Sequence, residues 1–540
     1  MICVEEVKIL NYKCFENFKI VLNKNLNIIV GNNEEGKSTI LEALHLALSG
    51  LVNGKSIYSE ISENIFNRDV VKRYLESLKT ENKEPLPYIL IEVYLGGENI
   101  DIFEGDANYY KSKHFGLALK ISFDEQYQNE YHTLLQGEGE INTIPVEYYK
   151  VERYSFARDA ITNKSIPLKS VIIDSSSNKF QNGSDMYISK IIKDNLDDNE
   201  IIALTQSYRK LKEKFGRDGA IDSINKKVSE NAGISNKKVS ISVDMSVKSS
   251  WETILMTLID EIPFQQVGKG EQCMVKTNLA LAHQKAQTSN LILIEEPENH
   301  LSHTNLNVLL DSIIEKCKEK QLIITTHSNF VANKLNLTNL ILLSDKNTVG
   351  FNELAPDDAA YFQKLPGYDT LRLILSKSAI LVEGPSDELI IQKAFKDKFE
   401  SIPIQKGIDV ISVKGLSFKR FLELAKRLQK KVAVVTDNDG DFGTKIQNKY
   451  KEYLDCSYIK ICASKNNDLK TLEPQFADAN KDYIDTLRTV IGANEKQHPN
   501  IVEYMIDNKT EWALKVFNSN NKFNYPQYIQ EALKWTYGEE

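Results

Sequence analysis

No apolar run in this chain reaches the ~18 residues that a membrane-spanning helix needs. The first apolar stretch is broken by Glu5, Glu6 and Lys8, which removes the outline of a signal peptide. The expectation is a cytoplasmic protein without membrane association. Cysteines are few: Cys3, Cys14, Cys273, Cys317, Cys456 and Cys462, none of them in a C-x-x-C pair. Such spacing points to neither a zinc site nor a disulfide framework, and leaves the thiols as small buried hydrophobes in a reducing compartment. Excess basic charge is lacking as well. A net charge of −8 argues against coating DNA by bulk attraction, but it is compatible with local basic patches and with a carboxylate-rich metal site. No internal repeat is present.

What is there is length and alternation. At 540 residues, with 41% apolar and 26% charged side chains, the chain reads as two or three globular domains. Residues 1–50 read strand, loop, helix. The stretch from about 51 to 250 is polar and poor in motifs, with a helical pattern over 186–232 and a loop composition over 174–184. From 251 onward short apolar runs alternate with amphipathic helices. The runs are Leu291–Ile294, Leu322–Thr326, Leu340–Leu343, Ala379–Val382, Asp409–Val413 and Val432–Thr436. This is the pattern of parallel α/β sheets, and Pro356 to Gly367 is a candidate boundary between two of them.

Gly31-Asn32-Asn33-Glu34-Glu35-Gly36-Lys37-Ser38, followed by Thr39, fits the phosphate-binding pattern G-x-x-x-x-G-K-[ST]. Glycines let backbone N–H groups wrap phosphates, Lys37 supplies a point charge, and the Ser38 hydroxyl is suited to Mg²⁺. Background composition gives about 0.02 chance matches in a chain of this length, so the match is specific. Leu291-Ile292-Leu293-Ile294-Glu295-Glu296 reads as a Walker B strand, in which Glu295 holds Mg²⁺ and Glu296 polarises the attacking water. Ile323 to Thr326 is another strand, ending at His327, a γ-phosphate contact in this reading. Gly268-Lys269-Gly270-Glu271-Gln272 precedes a helix upstream of the Walker B segment and resembles the ABC signature motif, which caps the nucleotide of a facing subunit.

A second set of acids ends later strands. Ala379–Val382 runs into Glu383-Gly384 and then Asp387, and Val432–Thr436 runs into Asp437-Asn438-Asp439, about fifty residues on. Carboxylates at the carboxyl ends of parallel strands converge in the crevice where such sheets bind ligands. Hard oxygen donors suit Mg²⁺ or Mn²⁺, and two such ions serve phosphodiester hydrolysis. Lys419, Arg420, Lys426, Arg427 and Lys430, opposed only by Glu423, are either a phosphate-binding surface or a solvated helix face.

The ordered ATPase motifs, with the opening Asn11-Tyr12-Lys13-Cys14-Phe15, resemble the ABC-type ATPase heads of the SMC, RecF and OLD (overcoming lysogenisation defect) proteins. The later acids resemble a Toprim domain, and the closing details resemble those of the OLD family: Leu472-Glu473-Pro474, Lys509-Thr510-Glu511-Trp512-Ala513, and the wording around Glu383 and Glu295–Leu301. The resemblance spans residues 1–50 and 251–540. It implies an α/β chain: an ABC-type ATPase head over 1–365 with a helical dimerisation insertion at about 155–245, then a Rossmann-like Toprim nuclease domain over 370–540. Residue by residue it implies Glu383, Asp387, Asp437, Asp439 and Glu473 as metal ligands or their supports, Lys509 as the catalytic lysine, and Ser412 and Gly415 as lining. Asp441 is an extra acid without a role in the motif. The resemblance further implies ATP as cofactor, two Mg²⁺ or Mn²⁺ ions, double-stranded DNA as substrate and a homodimer or higher oligomer. It also implies service as an effector of antiphage defence, alone or with a helicase-like protein or a retron RNA–DNA. The alternative, of another class, is an SMC/RecF-like ATP-gated DNA clamp whose Toprim domain is degenerate. A topoisomerase or primase lacks support, since neither a strand-passage module nor a zinc element is recognisable.

Overall fold

The computed structural model describes residues 1–538 apart from 53, 137–140, 175–179, 182–183, 186–195, 232–238, 246–250, 252–255, 336, 345, 351–367 and 414–417. Gly415, Lys414 and the expected boundary at 356–367 therefore lie outside the described residues, as does the start of the expected helical stretch. The chain forms two compact units, Met1–Val331 with Asn339–Gly350, and Ala332–Thr338 with Phe351–Glu540. Among the described residues no helix is long and apolar enough to cross a membrane. All six cysteines are free; Cys14 and Cys456 are half-buried rather than fully buried.

In chain order the first unit's main strands are β1 (Cys3–Tyr12), β2 (Phe15–Val21), β3 (Leu26–Gly31), β4 (Ile89–Gly96), β5 (His114–Phe123), β6 (Tyr149–Ser155), β7 (Ser170–Asp174), β8 (Leu291–Glu295), β9 (Gln321–Thr326), β10 (Leu340–Ser344) and β11 (Asn347–Gly350). They make two sheets. One is antiparallel, in the order β2-β1-β4-β5-β6. The other runs β7-β8-β9-β3-β10-β11, parallel except for its last pair. In the parallel sheet β3, β8 and β9 are almost wholly buried, because both faces of such a sheet are covered.

Between the sheets lies α1 (Lys37–Ser49), which touches strands of both. It buries Ile40, Leu41, Ala43, Leu44, Leu46, Ala47 and Leu48, a nearly all-round apolar surface that only an interior helix carries. Each large side chain buried this way is worth about 1.5–3 kcal/mol, so the helix that follows the phosphate loop is also the wedge of the core.

Sequence reading located β3, β8, β9 and β10 to within a residue or two and missed the other strands of this unit. β4 is wholly buried and β-branched, and lies in the stretch read as motif-poor. β7 falls inside the expected helical insertion, yet pairs in parallel with β8. Among the described residues there, the helices are α2 (Asp198–Gly216) and α3 (Gly219–Asn231).

The second unit is built on β12 (Ser378–Val382), β13 (Ile408–Ser412), β14 (Lys431–Val435) and β15 (Ile459–Cys462), all parallel, in the order β13-β12-β14-β15. The chain leaves β12 first to one side and then to the other, so a topological switch point lies between β12 and β14. Helices α5 (Pro385–Phe399), α7 (Leu472–Ala479), α8 (Lys509–Asn518) and α9 (Gln527–Tyr537) contribute to one core with Trp512, Phe476 and Phe395. Numbered between them in the chain are α4 (Lys269–Ala282), in the first unit, and α6 (Phe418–Leu428).

Two candidate active sites

At the end of β3 the chain turns through Asn32–Glu35, of which Asn32, Asn33 and Glu34 are exposed, and enters α1 at Lys37. The turn needs its glycines. Gly36 has φ +104°, and a Cβ there would meet Phe15 Cζ at 2.5 Å and Cys14 Sγ at 2.6 Å. The first N–H groups of α1 have no helical acceptor and stand at the positive end of the helix, which makes an anion site. Lys37 is 6% exposed. Its Nζ donates to Gly31 O at 3.0 Å and Asn32 O at 3.1 Å, and lies 2.7 Å from His327 Nε2. Burial lowers the Lys37 pKa, and the carboxylates of Glu296 and Glu298 oppose that shift.

Glu295 ends β8 and accepts the Ser38 hydroxyl. Burial pushes its carboxyl up, the Ser38 hydrogen bond pulls it back, and Asp174 adds to the push. Asp174 stands in register with Glu295 at the end of β7. Sequence reading passed it over, although the run Val171-Ile172-Ile173 before it carries the same strand-then-acid signal. Glu296 Oε1 lies 3.0 Å from His327 Nε2, and its Oε2 accepts Asn299 Nδ2 at 3.1 Å. Thus Lys37, Ser38, Glu295, Glu296 and His327, from three stretches of chain, are brought together. Thr39 is half-buried, with its Oγ1 3.7 Å from Cys14 Sγ.

Gly268 caps α4 and has open space around it. Gly270 does not: a Cβ there would lie 2.6 Å from His300 O. Gln272 Nε2 donates to Phe264 O at 2.9 Å and Val267 O at 2.8 Å, which fixes the loop in front of the helix.

In the second unit, Val382 and Val435 are partners in the β12–β14 ladder, so Glu383 and Thr436 are the next rungs. Glu383 Oε1 accepts the Thr436 hydroxyl and the Asp437 N–H, the latter at 3.1 Å. Gly384 caps α5 with Pro385 at its first position, and Asp387 in the first turn accepts the Gly384 N–H at 3.1 Å. Glu473 opens α7, is 5% exposed, and accepts Thr471 Oγ1 at 2.8 Å. Burial, and then the charges of Glu383 and Glu473, raise Asp387 to about 7. Burial, and then Asp387, Glu383 and Glu473, raise Asp437 to about 8. Four carboxylates are therefore gathered at the switch point. Among the described residues, no three of them yet surround one point as a closed metal cage. The donor set is all oxygen and strongly anionic, which fits a hard divalent cation.

Asp439 sits at the rim: exposed, with φ +48° and Lys445 Nζ at 4.0 Å. Asn438, buried between the two aspartates, donates to Ser464 O at 2.9 Å and Asn466 O at 2.8 Å. Its side chain thus anchors the loop, and Asp437 and Asp439 are held differently. The Ser412 hydroxyl donates to Glu383 O at 3.5 Å. Asp441 is exposed and accepts the Thr444 N–H at 3.0 Å, which lowers its pKa and ties it to its own turn. Lys509 is exposed at the start of α8, and none of the site's carboxylates is among its hydrogen-bond or ion-pair partners among the described residues. The stem of Lys470 packs on Gly440, beside the aspartates: a Cβ at Gly440 would lie 3.2 Å from Lys470 Cε.

Two tyrosines of this site had no signal in the sequence. Tyr528, 6% exposed on α9, has its pKa raised by burial and then by Asp437, Asp387, Glu383 and Glu473 together. Tyr450 is fully buried, its hydroxyl has no partner among the described residues, and Glu383 adds to the push of burial on it. On α6, Phe418, Phe421, Leu422, Leu424 and Ala425 face inward. Of the basic residues there, Lys419 pairs with Glu452 at 3.1 Å and Lys430 donates to Ser376 O, so part of that charge is already engaged.

Residues 2–332 match the family described as AAA ATPase domain, and residues 374–439 match the overcoming lysogenization defect protein-like TOPRIM domain. Endonuclease GajA of Bacillus cereus (strain VD045) is 23% identical over 460 residues, covering 80% of this chain and 74% of its own. The DNA replication and repair protein RecF of Alkaliphilus oremlandii (strain OhILAs) is 25% identical over 115 residues, 18% of this chain and 32% of its own. Among solved structures, the SMC head bound to the C-winged helix domain of ScpA overlaps 65% of this chain and 100% of its own, at TM-score 0.34 and 15% identity. The C-terminal region of the Xanthomonas campestris pv. campestris OLD protein overlaps 31% and 95%, at TM-score 0.24 and 19% identity. An ATPase domain is thus followed along the chain by a match to the overcoming lysogenization defect protein-like TOPRIM domain, and the chain belongs to the AAA ATPase domain family.

Proposed function

We propose that the protein is an ATP-hydrolysing, Mg²⁺- or Mn²⁺-dependent DNA endonuclease, with its ATPase domain in residues 1–365 and its nuclease domain in residues 370–540. The observation that carries the nuclease reading is the gathering of Glu383, Asp387, Asp437 and Glu473 at the β12–β14 switch point. Burial and the neighbouring carboxylates raise the pKa of Asp387 and Asp437, a repulsion that a bound dication would relieve. Two dications held by these carboxylates would supply a hydroxide nucleophile and a counter-charge for the leaving oxygen. The chain's own part is to present ligands. Glu383 and Asp437 would face the metals directly, Asp387 and Glu473 from the helix starts, Asp439 from the rim, with Ser412 and Gly415 as lining. Lys509 would face the phosphate.

At the other site Gly31, Asn32, Asn33, Gly36 and Thr39 would cradle the triphosphate. Lys37 would turn from its own loop carbonyls to the β/γ-phosphates, and Ser38 with Glu295 would hold Mg²⁺. Glu296 would orient water and His327 would contact the γ-phosphate. Gly268, in open space at a helix start, is suited to cap the nucleotide of a second copy, so the active form is a homodimer. GajA is an endonuclease, and a role in antiphage defence is proposed here by kinship.

Nicking of supercoiled plasmid with Mg²⁺ or Mn²⁺, with and without ATP, tests this reading. A protein that hydrolyses ATP and never nicks would be the DNA clamp instead.

A further inference from the structure

Glu298 stands two residues beyond Glu296 and was part of no motif role. One of its oxygens, Oε1, accepts three hydrogen bonds from a single short segment: Thr326 Oγ1 at 2.6 Å, His327 N at 2.9 Å and Ser328 N at 3.2 Å. Thr326 Oγ1 in turn accepts Ser328 N at 2.8 Å. A carboxylate oxygen with two backbone N–H groups and a hydroxyl on it makes charge-assisted bonds, the strong kind, and it fixes backbone rather than one rotamer. The other oxygen, Oε2, is buried without a hydrogen-bond partner among the described residues. A carboxylate that served only solubility would turn that oxygen to water, so the grip on Thr326–Ser328 is what holds it in place.

The gripped segment follows the end of β9 and carries His327. That imidazole sits between two groups of the ATP site, with Nε2 2.7 Å from Lys37 Nζ and 3.0 Å from Glu296 Oε1. The position of the ring is set by the backbone that bears it, and that backbone is set by Glu298. We propose that Glu298 is a positioning residue of the ATPase centre: it clamps the Thr326–Ser328 turn so that His327 is presented between Lys37 and Glu296, where the γ-phosphate of a bound nucleotide arrives. Glu298 does not itself meet the nucleotide. Hydrolysis therefore depends on it much more than nucleotide binding does, because phosphates are held by the P-loop backbone and Lys37, on a different segment. This inference rests on the ATP-hydrolysing reading above.

The test compares steady-state ATP hydrolysis with the affinity for a fluorescent methylanthraniloyl ATP, in the full-length wild type and in Glu298→Ala, Glu298→Gln and Thr326→Val. Release of the turn misplaces His327, and a shift on the order of 1 Å costs roughly 10²-fold in rate. Glu298→Ala is expected to lose about that much in kcat while its nucleotide affinity stays within about threefold. Glu298→Gln keeps a carbonyl oxygen to accept the three donors, and should recover most of the lost rate. Thr326→Val removes one donor at nearly constant shape and should lose about tenfold, which keeps the test open if Glu298→Ala does not fold. Wild-type kcat in both Glu298→Ala and Thr326→Val overturns the proposal. So does a parallel loss of affinity and rate in Thr326→Val, or a Glu298→Gln as slow as Glu298→Ala. A wild type that hydrolyses no ATP overturns the ATPase reading as well, and is thereby distinguished from failure of the clamp alone.

Discussion

Glu383 Oε1 accepts the backbone N–H of Asp437 at 3.1 Å, so the carboxylate at one strand end holds the backbone that presents the carboxylate at the next. The two acids are one construction, although about fifty residues separate them in the chain.

Glu383→Ala and Asp437→Asn should each abolish DNA cleavage and leave ATP hydrolysis within about twofold of wild type, since the two chemistries use different carboxylates. Plasmid nicking and phosphate release, measured on the same preparations, check this. Nicking at the wild-type rate by either variant would move the nuclease centre elsewhere.

The crowding of these acids also has a sign in stability. Asp437 has a raised pKa in the folded protein, about 8, against roughly 4 when unfolded. The folded state therefore holds the extra proton between those values, and stability falls as pH rises through that window. In EDTA, Asp437→Asn should melt higher than wild type at pH 8, with the gap closing toward pH 5, and Mg²⁺ should narrow it. Thermal melts at the two pH values decide; a gap that widens on acidification would show the carboxylate is not crowded.

In the ATPase site, Lys37→Ala should weaken nucleotide binding, because the phosphates lose their point charge. Glu296→Gln should instead retain ATP and hydrolyse it slowly, because the water loses its base. Retention of radiolabelled ATP on a filter separates the two. Hydrolysis at the wild-type rate by Glu296→Gln would refute its assignment.

Lys509→Ala should leave stability within about 0.5 kcal/mol, as an exposed position predicts, yet lose ~10²–10³ in cleavage rate if its cation faces the phosphate. Cleavage within a few-fold of wild type would make it a surface lysine. Lys470, whose stem already lies on Gly440 beside the aspartates, would then be the residue to substitute.

On α2, Leu204, Leu211 and Phe215 are exposed at 37%, 59% and 60%, and their spacing places them on one side of the helix. We expect this stripe to pair with a second copy. Leu211→Glu with Phe215→Glu should convert a nucleotide-independent dimer into a monomer by light scattering at micromolar concentration. An unchanged mass would place the dimer contact elsewhere.

Signals that depend on neighbours in the chain were legible without any structure. The P-loop, the acid-tipped strands β8, β12 and β14, and the late α/β alternation all follow from local rules: glycines where φ is positive, continuous apolar runs for strands covered on both faces, acids where strands end. The early antiparallel strands were not legible, because β4 and β5 carry no motif and their helical or extended character is decided by the sheet they join.

The sequence by itself determined the two sets of candidate residues, the phosphate loop with its Walker B acids and the acids that tip the later strands, because residue type and position at a strand end are local facts. Only the tertiary structure decided which acids meet. It set Glu383 on Asp437, placed Asp174 in register with Glu295, left Asp439 and Lys509 at exposed positions, and brought Tyr450 and Tyr528 to the carboxylates. It also gave Glu298 its grip on Thr326–Ser328. Each of these depends on strand order, register and the packing of distant helices, and none of those is written in the spacing of residues along the chain.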